Sequence, residues 1–570
     1  MVVPDRARTG GEIVIEQVTV GAKPLTLEDL MAVARYGAPV RIAPEATEAM
    51  NASLHWVDSA LAVHGDDPVG RLEPIYSINT GFGSLAGRQA LQQPDLASEL
   101  SRRLVISNAS GVGGWLDPEV VRAAMLIRIV SLTRGYSGVR PVLVQTLAAM
   151  LDAGVLPAVP EFGSLGASGD LIPLAHLAIV ATRPMGDADP EEESGEAWVD
   201  GRIVSGVAAM RSAGIERVVL GPKEGLALVN GTSFSTALAA LALYDADRLV
   251  RTSEVTAAMT IEALTGFGDA FVPQLHEARG HEGQIAAAAH LRALLAGSEF
   301  VDGGETTDPS RQPPQDAYSL RCVPQVHGPV RETLAFGRGI VEREINAATD
   351  NPLIFPDLPS SRRLKAVSGG NFHAEYLAFV SDFTAIVTTE VGNIAERRLF
   401  RLDDGTLNRG LPDMLVASEH VGIDCGYMLP QYLAAALVSD CKTLAHPDSV
   451  DSIPTCANQE DHVSMANNAG RHARQVVNNI ETVVGIELVM AAQALELRLQ
   501  LSGKGPESLS PSTRAVLELV RATPTSDGRG IDHITRDVVM YPRIRAAADL
   551  VHSGAVLGAV AGHVAGQVPA

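Results

Sequence analysis

The short segment Ala167-Ser168-Gly169 holds the residues whose types and spacing are best suited to chemistry. Glycine has no Cβ, so the amide nitrogen of Gly169 can reach the carbonyl carbon of Ala167 when the backbone folds back. Cyclisation with loss of two water molecules, one of them from Ser168, would create a 4-methylidene-imidazol-5-one (MIO) group, a strong electrophile. The simpler interpretation is a glycine-rich loop that opens a helix at Leu171, and a three-residue match alone favours it.

The elements that must position this segment are mostly helical. Thr26 is a candidate N-cap with two acidic residues in the following turn, and Gly37 is a candidate stop for that helix. Apolar residues at helical spacing predict further helices within the ranges 92–160, 224–300, 330–350, 371–400 and 459–500. The fold class is therefore predicted to be mainly α.

Strand patterns are few, and they concentrate near Glu12–Val20 and within 187–220. The acidic, proline-containing stretch 183–202 predicts a short surface hairpin or a loop. Residues 297–316 are too rich in proline and glycine for a helix, and a long polar segment between helices is typical of a functional or disordered loop.

The composition excludes several classes of protein. The formal net charge of −22 makes nucleic acid an unlikely partner, because an acidic surface repels phosphate backbones. No apolar run reaches about 18 residues without a charge, so we expect no membrane-spanning helix. The N-terminus lacks signal-peptide architecture. The spacing of the four cysteines fits buried thiols of a cytoplasmic protein better than a disulfide framework; they are Cys322, Cys425, Cys441 and Cys456.

Several separated segments carry motifs that match one known family in the same order. They lie at 76–83, 161–176, 224–232, 315–322, 344–352, 369–373 and 458–465. Together they closely resemble the MIO-dependent ammonia-lyases and aminomutases that act on histidine, tyrosine and phenylalanine. The Gln459-Glu460-Asp461 triplet makes the histidine branch the nearest one. The resemblance covers roughly residues 25–550.

The resemblance also implies an architecture. The family has a long central helical bundle of the fumarase/aspartase type with a smaller mixed N-terminal part, assembled as a homotetramer with active sites shared between subunits. On that basis we expect a flexible N-terminal segment, an MIO-bearing domain, a central long-helix bundle and a C-terminal helical segment, at 1–25, 26–225, 226–500 and 501–570.

The resemblance assigns roles to residues around the electrophile. Tyr76 matches the base that removes the β-proton, which requires neighbours that lower the pKa of its phenol. Gly83 belongs to the glycine-rich loop that closes over the substrate. Asn230 matches an amide donor on the carbonyl side of MIO. Phe372 matches a residue that backs the electrophile.

A second group is expected at the carboxylate of the substrate. Arg321 is the candidate for a bidentate clamp, because guanidinium matches the geometry of a carboxylate. Tyr318 and Gln315 match residues that line the same pocket, and Asn346 matches one near the carboxylate. The neighbouring Asp350 is interpreted as a structural cap.

Two positions indicate which ring the substrate has, and they favour different substrates. Glu460 could bond an imidazole N–H, whereas tyrosine and phenylalanine enzymes tend to have a neutral glutamine there. The ring-end pair is Ser107-Asn108, where histidine enzymes usually have Ser-His. Asparagine can donate and accept a hydrogen bond, but it cannot change its charge.

The sequence thus predicts an ammonia-lyase, most consistent with conversion of L-histidine to trans-urocanate. A tyrosine or phenylalanine ammonia-lyase giving coumarate or cinnamate, and a 2,3-aminomutase, remain alternatives, as does an inactive homologue that serves in assembly. We expect no nucleotide, since there is no P-loop or dinucleotide fingerprint. We also expect no metal, since His373 has no second histidine or carboxylate at ligand spacing.

Overall fold

The computed structural model describes residues 16–62, 75–87, 94–301, 315–359 and 365–564. Helices dominate these ranges, so the predicted mainly α class is confirmed. In chain order they are α1 (Leu27–Ala34), α2 (Pro44–Ala62), α3 (Pro94–Asn108), α4 (Pro118–Thr133), α5 (Pro141–Ala153), α6 (Leu171–Ala181), α7 (Gly206–Ser212), α8 (Glu224–Val229), α9 (Ser233–Ala263), α10 (Pro273–Glu277), α11 (Glu282–Leu295), α12 (Tyr318–Arg321), α13 (Val323–Ile345), α14 (Glu375–Asp403), α15 (Met428–Leu444), α16 (Ala466–Ser502), α17 (Pro511–Ala522), α18 (Tyr541–His552) and α19 (Ala555–Val564).

The strands are short and form small separate sheets. Parallel pairs join β1 (Val18–Val20) to β2 (Val40–Ile42) and β6 (Thr182–Arg183) to β9 (Val218–Val219). Antiparallel pairing joins β3 (Val112–Trp115) to β5 (Pro160–Phe162), β10 (Leu353–Ile354) to β11 (Ala366–Val367), and β4 (Leu156–Pro157), β7 (Glu196–Val199) and β8 (Arg202–Ser205) into one sheet.

Four long helices, α9, α13, α14 and α16, pack together as the central bundle. Arg398 of α14 and Glu487 of α16 form a fully buried ion pair, and Thr256 and Thr260 of α9 donate to the same carboxylate at 2.7 and 3.0 Å. Buried charges are tolerated when paired and hydrogen-bonded in this way. The network therefore fixes how three of the helices face one another, and the predicted long-helix bundle is confirmed.

The predicted start of the first helix is confirmed in detail. Thr26 and Asp29 form a reciprocal capping box, in which each side chain accepts from the backbone of the other. The helix ends at Ala34, before the predicted stop at Gly37. Of the strand predicted at Glu12–Val20, Val18–Val20 is a strand, and residues 12–15 lie outside the described residues.

The acidic stretch 183–202 contains part of a β-hairpin, which is one of the two forms predicted for it. Strands β7 and β8 pair antiparallel with Val199 opposite Arg202, and Asp200 and Gly201 make the turn. Most of the proline-rich segment predicted at 297–316 lies outside the described residues, which resume at Gln315.

One cluster of buried apolar side chains runs from Val18 to Val560, so the chain packs around a shared core. The segment boundaries proposed from the sequence stay a prediction. None of the described helices is by itself long and apolar enough to cross a membrane; only the bent pair α18 and α19, with 54° between them, passes jointly on length and composition.

The expectation of four buried thiols is wrong in part. All four cysteines are free, but only Cys441 is buried; Cys425 is exposed, and Cys322 and Cys456 are half-buried. Cys456 lies in the turn before α16 and is partly accessible there. It faces the loop at 75–87, where its Sγ accepts from the Ser84 N–H at 3.3 Å.

Candidate active site

The Ala167-Ser168-Gly169 segment is a tight loop that leads directly into α6. Ser168 has a left-handed φ of +50° and Gly169 a φ of +80°. Left-handed backbone is unfavourable for a residue with a side chain, so the surrounding structure must hold Ser168 in place. A Cβ on Gly169 would overlap the carbonyl oxygen of Gly231, which explains why glycine is required here.

Two backbone hydrogen bonds clamp this loop to the α8–α9 junction. The Gly231 N–H donates to the carbonyl oxygen of Ser168 at 3.1 Å, and the Asp170 N–H donates to the carbonyl of Gly231 at 2.7 Å. Asn230 is the first residue after α8, and its side-chain Nδ2 is buried without a partner in the described part of the chain. A buried donor without an acceptor is costly, so it marks a place where an acceptor is expected.

The buried carboxyl group of Asp170 also holds the loop in place. Asp170 accepts from the hydroxyls of Ser164 and Ser235 at 3.0 and 2.7 Å and from the Ser235 N–H at 2.7 Å. Complete burial raises the pKa of Asp170, and these hydrogen bonds oppose that shift. Asp170 thereby joins the end of the loop to the first turn of α9.

Glu460 lies against the serine of the loop. The Ser168 hydroxyl donates to Glu460 Oε1 at 3.2 Å, and the Thr455 hydroxyl donates to Oε2 at 2.9 Å. The turn between Thr455 and Glu460 contains three consecutive left-handed residues, at 456–458. Strain of this kind persists where surrounding contacts over-determine the backbone, and it holds the Glu460 carboxylate at the loop.

Tyr76 joins this group through the loop at 75–87. Its hydroxyl oxygen accepts from the Gly83 N–H at 3.1 Å. Gly83 is left-handed, with a φ of +52°, and a Cβ there would lie 2.5 Å from Cys456 Sγ, so the loop sits directly on the turn that carries Glu460.

The described neighbours of Tyr76 do not lower the pKa of its phenol, although its predicted role as base calls for neighbours that do. Burial raises the pKa of its phenol, and the negative charge of Glu460 and the Cys456 thiol raise it further, while the Gly83 N–H opposes the shift. The sequence could not reveal this, because Glu460 and Cys456 approach Tyr76 only in the folded chain.

Phe372 lies directly before His373 in the segment that leads into α14, and its predicted position behind the electrophile stays a prediction. His373 Nε2 lies 3.2 Å from His462 Nδ1, which connects the segment before α14 with the segment before α16. Glu375 Oε2 lies 3.8 Å from His373 Nδ1. The spacing argument against a metal therefore fails here, since the second histidine comes from a distant segment; the absence of a metal stays a prediction.

The residues predicted to bind the substrate carboxylate make their contacts away from the Ser168 loop. Arg321 donates from Nε to the Asp316 carbonyl at 2.8 Å, and its guanidinium lies over the Tyr318 ring at 4.6 Å. No carboxylate among the described residues pairs with Arg321. Tyr318 and Gln315 are both exposed, and Asp316 instead pairs with Arg409.

Asn346 does not join either group. Its amide oxygen accepts from the Leu25 N–H at 2.8 Å, and its amide nitrogen donates to the carbonyls of Leu25 and Glu342, also at 2.8 Å. These bonds occupy the whole side-chain amide. The predicted role of Asn346 at the substrate carboxylate is therefore dropped, and Asn346 anchors the N-terminal segment to the end of α13.

The ring-end pair lies at the end of α3, which packs on α6 and α8. The Ser107 hydroxyl donates to the carbonyl of Leu104 at 3.1 Å, a local bond within its own helix. Asn108 Nδ2 is buried without a partner in the ranges the structure describes. Of these two helices, α6 follows Gly169 and α8 precedes Asn230, so α3 packs on both elements that flank the loop and its clamp.

Two features of the site were missed by sequence reasoning. The Gly231 N–H is a direct partner of Ser168, and the only signal for it was the Asn230-Gly231 step itself. Arg128 is fully buried in α4 and donates from Nη1 to the Asn230 carbonyl at 2.5 Å, and nothing in its sequence context indicates this. Asp350, interpreted as a cap, is also a buried ion-pair partner of Lys223.

The comparisons with known proteins agree over nearly the whole chain. Residues 25–522 match the family model described as aromatic amino acid lyase. The chain is 43% identical over 546 residues to a histidine ammonia-lyase of Symbiobacterium thermophilum, covering 96% of this chain and 98% of that protein. It resembles the crystal structure of histidine ammonia-lyase from Trypanosoma cruzi with a TM-score of 0.81 at 36% identity, covering 97% and 96% of the two chains. Tyrosine aminomutase from Streptomyces globisporus gives a TM-score of 0.84 at 34% identity, covering 97% and 100%.

Proposed function

Since the chain belongs to the aromatic amino acid lyase family, we propose that it is an ammonia-lyase that removes ammonia from L-histidine and releases trans-urocanate. The choice of histidine rests on the carboxylate of Glu460, whose Oε1 lies 3.2 Å from the Ser168 hydroxyl oxygen. A carboxylate at this place can accept the N–H of an imidazole and favour its cationic form, which no phenyl ring can use.

We further propose that Ala167, Ser168 and Gly169 cyclise to MIO. The loop fits this group, because its bend is left-handed, Gly169 lies against Gly231 where a side chain would not fit, and Asn230 Nδ2 is a buried donor without an acceptor. MIO supplies an electrophile that takes up the substrate amine, so that ammonia leaves more readily. The Gly231 N–H and the Asn230 amide then stabilise negative charge on the Ser168 carbonyl oxygen.

Tyr76 is the proposed base that removes the β-proton of the substrate. It acts in its ionised form, and burial together with Glu460 raises the pKa of the phenol. The ionised fraction of Tyr76, and with it the rate, therefore increases as the pH rises towards that pKa. Gly83 holds the Tyr76 hydroxyl oxygen through its N–H and lets the loop approach the turn at 455–460.

Arg321, with Tyr318 and Gln315 beside it, is the proposed binding group for the substrate carboxylate. The Arg321 guanidinium has no carboxylate partner among the described residues. Its contacts are with the Asp316 carbonyl and the Tyr318 ring and not with the Ser168 loop. We therefore propose that Arg321 serves the loop of another subunit in a homotetramer. An apolar row of partly exposed side chains along α14 supports such an assembly: Tyr376, Phe379, Phe383 and Ile386.

The alternative function is an aromatic lyase for tyrosine or phenylalanine, or a 2,3-aminomutase. Asn108 favours it, because the ring-end position lacks a group that can change its charge. The similarity to tyrosine aminomutase in fold is compatible with it.

The deciding experiment is an ammonia-release assay with L-histidine, L-tyrosine and L-phenylalanine, with the ultraviolet spectrum of each product. Urocanate from histidine alone supports the proposal. Coumarate or cinnamate would replace histidine by the alternative, and a β-amino acid would identify an aminomutase. The Ser168→Ala variant is the control: it should keep the mass of the two water molecules that the wild type loses, and it should release no ammonia.

A further inference from the structure

Arg128 is a fully buried cation that the mechanism above does not use. It lies in α4 and donates from Nη1 to the Asn230 carbonyl at 2.5 Å. Its Nη2 donates to the hydroxyls of Ser131 and Thr349 at 2.8 and 3.4 Å. All three acceptors are neutral, and no described carboxylate is hydrogen-bonded to this guanidinium.

Such an arrangement costs stability, because a buried charge is normally paired with an opposite charge. Burial lowers the pKa of Arg128 to about 10, and the charges of Asp350 and Asp170 oppose that shift. Asp350 is already paired with Lys223, and burial raises the pKa of Asp170. The shortest hydrogen bond of Arg128 is the one to the Asn230 carbonyl, so its positive charge acts directly on that group.

That carbonyl belongs to the same peptide group whose N–H holds the Ser168 loop. Arg128 binds the oxygen of the Asn230–Gly231 peptide, and the nitrogen of that peptide donates to the Ser168 carbonyl oxygen at 3.1 Å. A hydrogen bond from a cation to the oxygen of a peptide polarises it and strengthens the hydrogen bond that its N–H donates. A Cβ on Gly231 would lie 2.9 Å from Arg128 Nη1, so the guanidinium packs closely against this peptide and a side chain at Gly231 would not fit.

We propose that Arg128 is a positioning residue for the reaction, acting through the Asn230–Gly231 peptide to stabilise negative charge on the Ser168 carbonyl oxygen. This inference rests on the proposed function, in which that oxygen becomes the carbonyl of the electrophile. No proton moves to or from Arg128, and no bond is made or broken there. The charge lowers the energy of the state in which electrons have shifted onto the oxygen.

The test compares Arg128→Gln, which removes the charge, with Arg128→Lys, which keeps it on a shorter side chain. Intact mass first establishes that each protein has lost two water molecules. Two rates are then measured: kcat with the preferred amino acid, and the rate at which borohydride, a small nucleophile, bleaches the near-ultraviolet absorbance of the electrophile. Borohydride needs neither Tyr76 nor Arg321, so its rate reports on the electrophile alone.

We expect Arg128→Gln to lower both rates by roughly tenfold with KM little changed, because removal of a direct donor typically costs roughly a hundredfold or more and this effect is indirect. Arg128→Lys should recover a large part of both. Ser131→Ala is the matched control, since it removes a hydrogen-bond partner of Arg128 and leaves the bond to Asn230; both rates should stay near those of the wild type.

Three outcomes would overturn the inference. Equal losses in the Gln and Lys variants would assign the effect to packing, an unchanged borohydride rate in the Gln variant would exclude polarisation, and failure of both variants to lose the two waters would make Arg128 a folding residue. A wild-type protein that keeps the mass of both waters would instead contradict the proposed electrophile itself, so the two failures are distinguishable.

Discussion

The two halves of the proposed site differ in how far a single chain completes them. Around Ser168, distant segments converge: Glu460 bonds the serine, Gly231 clamps its carbonyl, and the Tyr76 loop rests on the turn that carries Glu460. Around Arg321, the chain provides a cation that contacts Asp316 and Tyr318 and pairs with no carboxylate of the described residues. One chain by itself therefore builds the electrophile end, whereas the carboxylate end is expected to depend on the proposed assembly.

Subunit mixing is the strongest test of this division of the site. Tyr76→Phe and Arg321→Met are each expected to lose activity by a hundredfold or more, roughly the effect of losing a catalytic base or a charge-assisted bidentate clamp. If the two side chains come from different subunits, co-expression should restore activity, because some mixed sites contain both intact residues. The measurement is ammonia release by the co-purified variants.

The control for mixing is the pair Tyr76→Phe and Ser168→Ala, both from the half that one chain completes. Their co-expression should restore no activity. Recovery in this control pair, or none in the first pair, would contradict the division of the site between subunits.

Replacement of Glu460 by glutamine tests the link between charge and substrate. Activity on histidine should fall by roughly ten- to a hundredfold, since a hydrogen bond to a charged group contributes about 1.5–3 kcal/mol. The pH profile should shift as well: Glu460 raises the pKa of Tyr76, so removing its charge lowers that pKa, and the acid limb of kcat/KM moves to lower pH.

Thr455→Val is the control for the glutamine variant. It removes the hydroxyl that donates to Glu460 Oε2 but keeps the carboxylate. Its acid limb should stay where that of the wild type lies. A glutamine variant with an unshifted limb would mean that Tyr76 is not the group whose ionisation limits the rate.

A substitution at Asn108, in the ring-end pair, is expected to have a smaller effect. Asn108→His should raise the preference for histidine over tyrosine by roughly several-fold, about the value of one hydrogen bond, if the buried Nδ2 of Asn108 faces the substrate ring. The ratio of kcat/KM for the two amino acids is the measurement. An unchanged ratio would remove Asn108 from the ring-end group.

The contact between the Tyr76 loop and the Glu460 turn predicts an effect of similar size. Gly83→Ala should lower activity by several-fold, since its left-handed φ and a Cβ 2.5 Å from Cys456 Sγ cost roughly 1–2 kcal/mol. Gly87→Ala in the same loop meets no atom of the described residues within 4 Å and should behave as the wild type. Equal kcat values for the two variants would show that the loop does not need this contact.

Features that depend on neighbouring residues were predictable from the sequence. The N-cap at Thr26, the helix that starts at Leu171 and the long helices of the bundle follow from local propensity and from the period of apolar residues. The loop motif itself, with glycines on both sides of Ala167-Ser168, indicates a backbone that can fold back. Its match to a family over most of the chain supplied the remaining candidates.

The fold corrected the candidates whose role depends on distant partners. Asn346 was assigned to the substrate, but its amide is occupied by Leu25 across 321 residues of sequence. His373 had no second histidine nearby in sequence, yet His462 lies beside it in the fold. Burial and Glu460 raise the pKa of Tyr76, whereas its predicted role as base calls for neighbours that lower it. Arg128 gave no signal, since an arginine within a helix is usually at the surface.

The sequence by itself thus determined the helical class, the cyclisable loop and the family, because each is encoded in residues close to one another or in their order. Only the tertiary structure decided which groups surround the loop, which of them are occupied elsewhere and which charges are buried beside them. The physical reason is that hydrogen bonding, desolvation and Coulomb energy depend on distance in space, and the chain brings Ser168, Gly231 and Glu460 together from three separate segments.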